Sequence, residues 1–447
     1  MDSWQAGVAI AAFVGTILML MTEVVHLTIA AMLGAMTLIV LNIMTLSEAI
    51  GYIGSSYATL ALFFGAMVMV RSFEPTKVFD YLATKMVIWA GGRGDRLLLG
   101  IVAITTPICA VLPNATTVIL LAPLLPPMAM EIGVDFIPLL LLIVFVANSA
   151  GLLTLVGDPA TFIVGNAINI SFVEYLQKLS LGGVVSILVL LPLLPVLFRR
   201  TWQTRVANLE TLPSPQINHP RTLAVGILIV VLVLLIFVIG DSLPVPVPPA
   251  TAALLGATLS LFLAHQTKID TVSNILRDVD WSTLIFFMCI FVMIGGLTKT
   301  GVINSLSGAL TTIVGTNIAL GSLLILLITG ILSSVVPNIP LLVGLVPLLK
   351  QYLVNMGMAN PEFALASFSG KPPETVLPLF YAMLFGATLG GNGTLAGASA
   401  NIVAAGIAEQ HGKTISFRLF TKYGLPVMAV QLVASALYVA IAYLIPR

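Results

Sequence analysis

The feature that most constrains this chain is a succession of apolar stretches, each long enough to cross a bilayer and almost free of charge. The hydrocarbon core is about 30 Å thick, so a crossing helix needs about 17–25 apolar residues. On that criterion the first half has spans at roughly 5–22, 25–43, 57–73, 137–170 and 180–198, the fourth being broken. The second half has them at roughly 222–240, 248–264, 281–298, 376–409 (again broken) and 422–445. Two further apolar stretches, 97–131 and 319–356, turn midway at Pro113-Asn114 and Pro337-Asn338 and read as hairpins that enter and leave by one face. Non-helical backbone at membrane depth survives only where protein buries it or where it lines a cavity.

Composition agrees. Only 8% of the 447 residues are charged, against about 25% in soluble proteins. A water-facing surface cannot be clothed with so few, which excludes a soluble enzyme. A net charge of +1 leaves no footprint for nucleic acid. The two cysteines, Cys109 and Cys289, stand far apart in apolar runs and supply neither a disulfide framework nor a metal cluster.

Charge placement orients the spans. With the N-terminus outside, 14 of the 19 basic residues fall in inner loops, among them Arg71, Lys77, Arg93, Arg199, Arg221, Lys268 and Lys413. This is the positive-inside bias, and counting either hairpin as one crossing would spoil it. The first helix has no basic leader or small-residue cleavage site of the kind that marks a signal peptide. The Pro-rich polar stretch 199–221 reads as a cytoplasmic linker between a first half, 1–198, and a second half, 222–447. Residues 74–96 set Val78, Phe79, Leu82, Met86 and Trp89 among polar residues, as an interfacial amphipathic helix does.

The halves repeat each other. At an offset of 224, Thr59, Phe63, Val111, Pro113, Asn114 and Pro123 match Thr283, Phe287, Val335, Pro337, Asn338 and Pro347. At an offset of 240, Gly151, Thr154, Leu155 and Gly157 match Gly391, Thr394, Leu395 and Gly397. Five crossings per half put the repeats in opposite orientations. Inverted repeats with broken helices at matching places mark secondary transporters, whose site lies between the repeats near the midplane.

The polar breaks are therefore the candidate site. The hairpin tips carry Asn114, Thr116 and Thr117, and Asn338; the broken helices carry Asn148, Thr154, Gly157 and Asp158, and Asn392, Thr394, Gly397, Ser399 and Asn401. Interrupted helices expose carbonyls that, with Asn and Thr oxygens, suit Na+, and N–H ends that suit an anion. With no Lys or Arg in these segments, an anion has to be held by N–H groups, Asn, Ser and Thr, or by a bound cation. Small residues also serve close helix packing in membranes. Asp158 is the one carboxylate of the breaks; it is either a titrating group or the N-cap of a half-helix beginning at Pro159, or both. Glu23 and His26 could pair or sit in a solvated loop. His219, His265 and His411 lack metal-ligand spacing.

Two blocks carry a family resemblance. Leu379–Gly412 (LFYAMLFGATLGGNGTLAGASANIVAAGIAEQHG) and Asn148–Gly165 (NSAGLLTLVGDPATFIVG) resemble the ion transporter superfamily, in its arsenite-permease and sodium/proton-antiporter-like branch, which holds the melanosomal P protein. Related dicarboxylate and citrate carriers have Ser-Asn-Thr hairpin tips that look like those at Asn114 and Asn338. The resemblance implies a multi-pass homodimer whose scaffold holds an elevator-like transport domain. It implies one ion site at Asn114, Thr116, Thr154, Gly157 and Asp158, a second at Asn338, Asn392, Thr394, Ser399 and Asn401, and substrate between them. Within these, Na+ falls to Asn114, Thr154 and Gly157 and to Asn338, Thr394 and Asn401. Two departures stand out: Pro113 and Pro337 replace the antiporters' hairpin Asp, and Thr161 replaces the Asn after Gly-Asp-Pro. They favour an anion transporter coupled to Na+ or H+, in the plasma membrane and without a cofactor. A cation/proton antiporter using Asp158 and an anion channel are the alternatives; no Ser/His/Asp or metal constellation supports an enzyme.

Overall fold

The computed structural model describes residues 3–22, 25–205, 216–365, 368 and 370–444. Every element among them is helical, apart from one isolated antiparallel bridge between Arg93 and Arg205. Six helices are long and apolar enough to span a membrane: Trp4–Thr22, Tyr57–Thr76, Ser180–Leu197, Pro220–Ser242, Trp281–Lys299 and Phe417–Leu444.

Two expected simple spans are not among these. The stretch 25–43 forms the helix Leu27–Val40 of 14 residues, about 21 Å at 1.5 Å per residue. The stretch 248–264 forms the 19-residue helix Pro249–Thr267, long enough but rich in Ala, Gly, Thr and Ser. Such residues let neighbouring backbones approach. Pro249–Thr267 accordingly packs along Tyr57–Phe73, and Leu27–Val40 packs along Trp281–Lys299. Each pair is the other shifted by about 224 residues, with the partners exchanged between halves. That reciprocity is what a two-fold relationship between repeats produces.

Both broken helices break where the sequence places them. The first runs Ile137–Ala150, a 3-10 turn Gly151–Leu153, and a restart at Pro159–Ala167. The second runs Leu377–Gly390, a turn Leu395–Gly397, and a restart at Ser399–Gln410. The hairpins are Gly94–Cys109 followed by Asn114–Leu121, and Ile318–Ser333 followed by Asn338–Asn355. The second hairpin's first arm packs directly along Leu377–Gly390, with the Ser333 hydroxyl donating to the Ala387 carbonyl. A Cβ on Gly390 would stand 2.3 Å from the Gly330 carbonyl oxygen, so only glycine fits there.

The amphipathic segment at 74–96 is the helix Val78–Ala90, with Trp89 exposed. Its counterpart, Val302–Val314, sits at the same offset and meets Ile318–Ser333 at 119°; the sequence reading took no notice of it. The linker begins as a short helix, Arg199–Gln203, whose following Arg205 reaches Asp95 at 3.3 Å. Residues 206–215 of it lie outside the described residues, as does Glu23 of the expected Glu23–His26 pair. His26 itself caps Leu27–Val40, its Nδ1 accepting from the Thr28 N–H at 3.3 Å.

Candidate functional site

The repeats agree at the breaks in dihedral detail. Pro113 and Pro337 precede the hairpins' second arms with φ/ψ of −54/142° and −52/140°. Thr154 and Thr394 are extended at −138/161° and −139/168°, and Asp158 and Ala398 at −147/142° and −150/148°. Each threonine pins its break to its own hairpin: Thr154 donates to the Ala110 carbonyl at 2.5 Å, and Thr394 to that of Ser334, 224 residues on. Gly157 and Gly397 sit where two backbones cross. A Cβ there would stand 2.6 Å from the Cys109 oxygen and 2.7 Å from the Gly391 oxygen respectively.

The halves then exchange partners. Ser399–Gln410 packs on Asn114–Leu121, and Pro159–Ala167 packs on Asn338–Asn355. This crossing brings all four breaks together. Asn114, Pro159, Asn338 and Ser399, each the first residue of its helix, line one cavity of about 130 Å³. Thr116, Asp158 and Ala398 line it too, with Phe63, Met67 and Phe287 opposite. First-turn N–H groups have no intrahelical acceptor, and the helix dipoles add their positive ends. Four such ends face this space, although Asp158 already caps the one that begins at Pro159.

Behind the cavity runs a buried chain of side-chain amides. Asp158 accepts from the Ala160 N–H at 2.7 Å, so it is the N-cap, and from Asn114 Nδ2 at 2.8 Å. The same Asn114 nitrogen donates to Asn148 Oδ1 at 3.1 Å. Asn148 Nδ2 donates across the repeats to Asn392 Oδ1 at 3.0 Å and Asn401 Oδ1 at 3.1 Å. Asn392 Nδ2 donates to Gln431 Oε1 at 2.8 Å; Gln431 Nε2 ends the chain on Ser149 Oγ at 2.8 Å and the Ser186 carbonyl at 2.9 Å. Buried polar groups are costly unless paired, and networks of this kind fix one arrangement.

Thr161 stands at the position equivalent to Asn401. Its hydroxyl donates to the Leu155 and Asp158 carbonyls, while Asn401 Nδ2 donates to those of Gly391 and Thr394. Threonine thus satisfies the break's backbone as asparagine does, but leaves no amide to reach across. Thr117 is fully buried behind the first tip. Asn338 is buried at the second tip, and its side chain makes no hydrogen bond to the described residues. No group of three or more His, Cys, Asp or Glu side chains arranged to hold a metal occurs among the described residues.

Three participants escaped the sequence reading. Gln431 lies outside every break, in a helix whose neighbours are apolar; a lone fully buried glutamine was its only signal. Ser149 stands in a break but beside the better-marked Asn148. Arg71 reaches the cavity mouth from Tyr57–Phe73, where Glu74, Asp278 and Asp280 join it. Its guanidinium grips Asp278 at 2.7 Å, with Asp270 and Glu74 each at 3.4 Å. The Arg71 hydrogen bond, aided by Arg277, holds the Asp278 carboxyl below its usual range.

Comparison with known proteins decides the family. A citrate transporter family model matches residues 17–370. The chain belongs to the citrate transporter family. It is 67% identical over 428 residues to an uncharacterized transporter of Synechocystis, covering 96% of this chain and 95% of that one. An uncharacterized transporter of Mycobacterium tuberculosis is 33% identical, over 98% of this chain and 99% of its own. The mouse P protein is 27% identical over 99% of this chain and 61% of its own length, in keeping with the resemblance read from the two blocks. Among solved structures, the YdaH transporter of Alcanivorax borkumensis, described as having an unusual topology, superposes with a TM-score of 0.59 at 12% identity. It covers 88% of this chain and 86% of its own. The citrate transporter family member described here is thus a multi-pass helical membrane transporter.

Proposed function

We propose that this transporter moves a small anion, a carboxylate or an inorganic oxyanion, by secondary active transport coupled to Na+ or H+. The observation that carries this reading is the convergence of four helix N-termini on one cavity. At about 130 Å³ the cavity admits a small solute. Asp158, Glu74, Asp278 and Asp280 outnumber Arg71 along its walls. An anion therefore arrives more favourably with a cation than alone, which is the physical case for coupling. Na+ is assigned to two sets, Asn114, Thr154 and Gly157, and Asn338, Thr394 and Asn401, which share the repeat-related Asn and Thr but differ in the third member. Thr116, Asn148, Asn392, Gly397 and Ser399 complete the wall or its support.

The exchange of contacts between hairpins and broken helices makes them one unit, and we take that unit to slide as an elevator against the helices at 57–73 and 281–299. The positive-inside count supports a cytoplasmic mouth at Arg71 and hence an inward-facing cavity, and the plasma membrane is the expected location. A homodimer is the expected assembly. Cation/proton antiport is the second reading, favoured by one observation: Asp158 is both a cavity wall and the end of the amide chain.

The test is flux in proteoliposomes with Na+ and pH gradients imposed separately and a panel of radiolabelled carboxylates and oxyanions supplied. Gradient-driven anion accumulation, lost in Asn114→Ala and Asn338→Ala, is the expected result. Na+-driven proton movement that needs no anion and vanishes in Asp158→Asn would replace it with antiport. Flux that never accumulates solute against its gradient would make the protein a channel.

A further inference from the structure

Away from the candidate site, the fold holds two apolar crevices that are copies of one another. One, of about 310 Å³, lies between the membrane-spanning helices at 57–73 and 220–239 and the first hairpin arm. The other, of about 360 Å³, lies between the helix at 3–22 and the second hairpin arm. Val78, Phe79, Ile108 and Leu112 of the first become Val302, Ile303, Leu332 and Val336 of the second, all at the offset of 224. Both open toward the bilayer; in the first, Ile227 is 53% and Val231 43% exposed.

Their rims differ in charge. At the first, the Asn218 N–H donates to the Thr76 carbonyl at 2.9 Å and so ties two chain segments together, bringing Lys77 and Arg221 to the same end. Both are exposed, and neither forms an ion pair among the described residues. At the second, Gly301 stands where Lys77 would be, and the nearby Lys299 is spent on Glu48 at 2.6 Å. A dry slot with a cationic rim at headgroup depth fits an amphiphile with an acyl tail and a negative head.

We propose that the first crevice binds an anionic phospholipid of the basic-face leaflet. One acyl chain lies along Ile108–Leu112 of the first hairpin, and Lys77 and Arg221 hold the phosphate. The second crevice takes acyl chains without headgroup preference. This does not depend on which solute the transporter moves.

The experiment is native mass spectrometry of the full-length protein released from micelles containing phosphatidylglycerol and phosphatidylcholine in equal amounts. Wild type is expected to retain phosphatidylglycerol preferentially. Lys77→Gln and Arg221→Gln are each expected to cut that preference about fivefold, since one cation near the surface contributes about 1 kcal/mol. Ala66→Phe, which fills the first crevice, is expected to remove the retained lipid, whereas Gly344→Leu, filling the second, is expected to leave the preference intact. Because a core substitution can unfold the chain, Ala66→Phe is read only on protein with the wild-type elution profile. The two surface variants carry the test on their own. Equal retention of both lipids by wild type, or an unchanged preference in the surface variants, would overturn the proposal.

Discussion

Asn148 joins the two repeats' breaks through two hydrogen bonds, to Asn392 and Asn401, and replacing it with leucine, of nearly the same size, tests the amide chain directly. The substitution removes both donors and the acceptor. Asn114 keeps its bond to Asp158, but Asn392 Oδ1 and Asn401 Oδ1 each lose the Asn148 donor. A buried acceptor left unpaired costs about 1–3 kcal/mol, so two cost about 2–6. Burying the leucine methyls returns about 1–2 kcal/mol, leaving a net loss of about 1–4. The assay is equilibrium unfolding in mixed detergent micelles of rising SDS fraction, followed by circular dichroism. The double variant Asn148→Leu/Asn401→Leu removes both ends of one bond and should cost about 1 kcal/mol less than the sum of the singles. A loss under about 0.5 kcal/mol for Asn148→Leu, together with strict additivity in the cycle, would refute the claim that this chain holds the halves in register.

Other outcomes follow from single contacts. Gly157→Ala and Gly397→Ala drive a Cβ into backbone oxygens and should each destabilise by about 1–3 kcal/mol and abolish flux. Gly406→Ala, with open space around its Cβ and a helical position, should be neutral or stabilise by up to about 1 kcal/mol in the same unfolding assay. Thr154→Val and Thr394→Val free equivalent carbonyls and should cost similar amounts, about 1 kcal/mol each; a several-fold inequality would contradict the repeat symmetry. Where the helix Leu46–Ser55 begins and Trp281–Lys299 ends, the Lys299 ammonium holds Glu48 down to about 2 from 4.5. Since the folded value lies below the unfolded one, that pairing stabilises above about pH 4.5 and is lost as pH falls toward 2. Lys299→Met should raise the Glu48 carboxyl toward its ordinary range by NMR titration and flatten that part of the stability profile.

The breaks and the hairpins were legible because Pro113-Asn114 and Pro337-Asn338, and Gly157 and Gly397, recur in register between the halves, which isolated prolines such as Pro107 and Pro426, both inside helices, do not. The helix in the expected span 25–43 is shorter than the apolar stretch, Leu27–Val40, because hydropathy does not register where the backbone turns. Arg71 and Gln431 were missed for a different reason. Each sits in an ordinary-looking helix and acquires its partners, Asp278 and Asn392, only through packing between segments 207 and 39 residues apart. The offset that revealed the repeat also contained Val302–Val314, whose amphipathic pattern is the clearer of the two and could have been found by shifting Val78–Ala90 by 224 residues.

One difference between the repeats limits what the cavity can carry. Where the first break has Asp158 the second has Ala398, with the backbone otherwise superposable. The breaks thus offer a carboxyl in the first repeat only. Any proton that rides on the break side chains is therefore a single one per cycle, and whatever balances the second half of the pocket has to bring its charge with it.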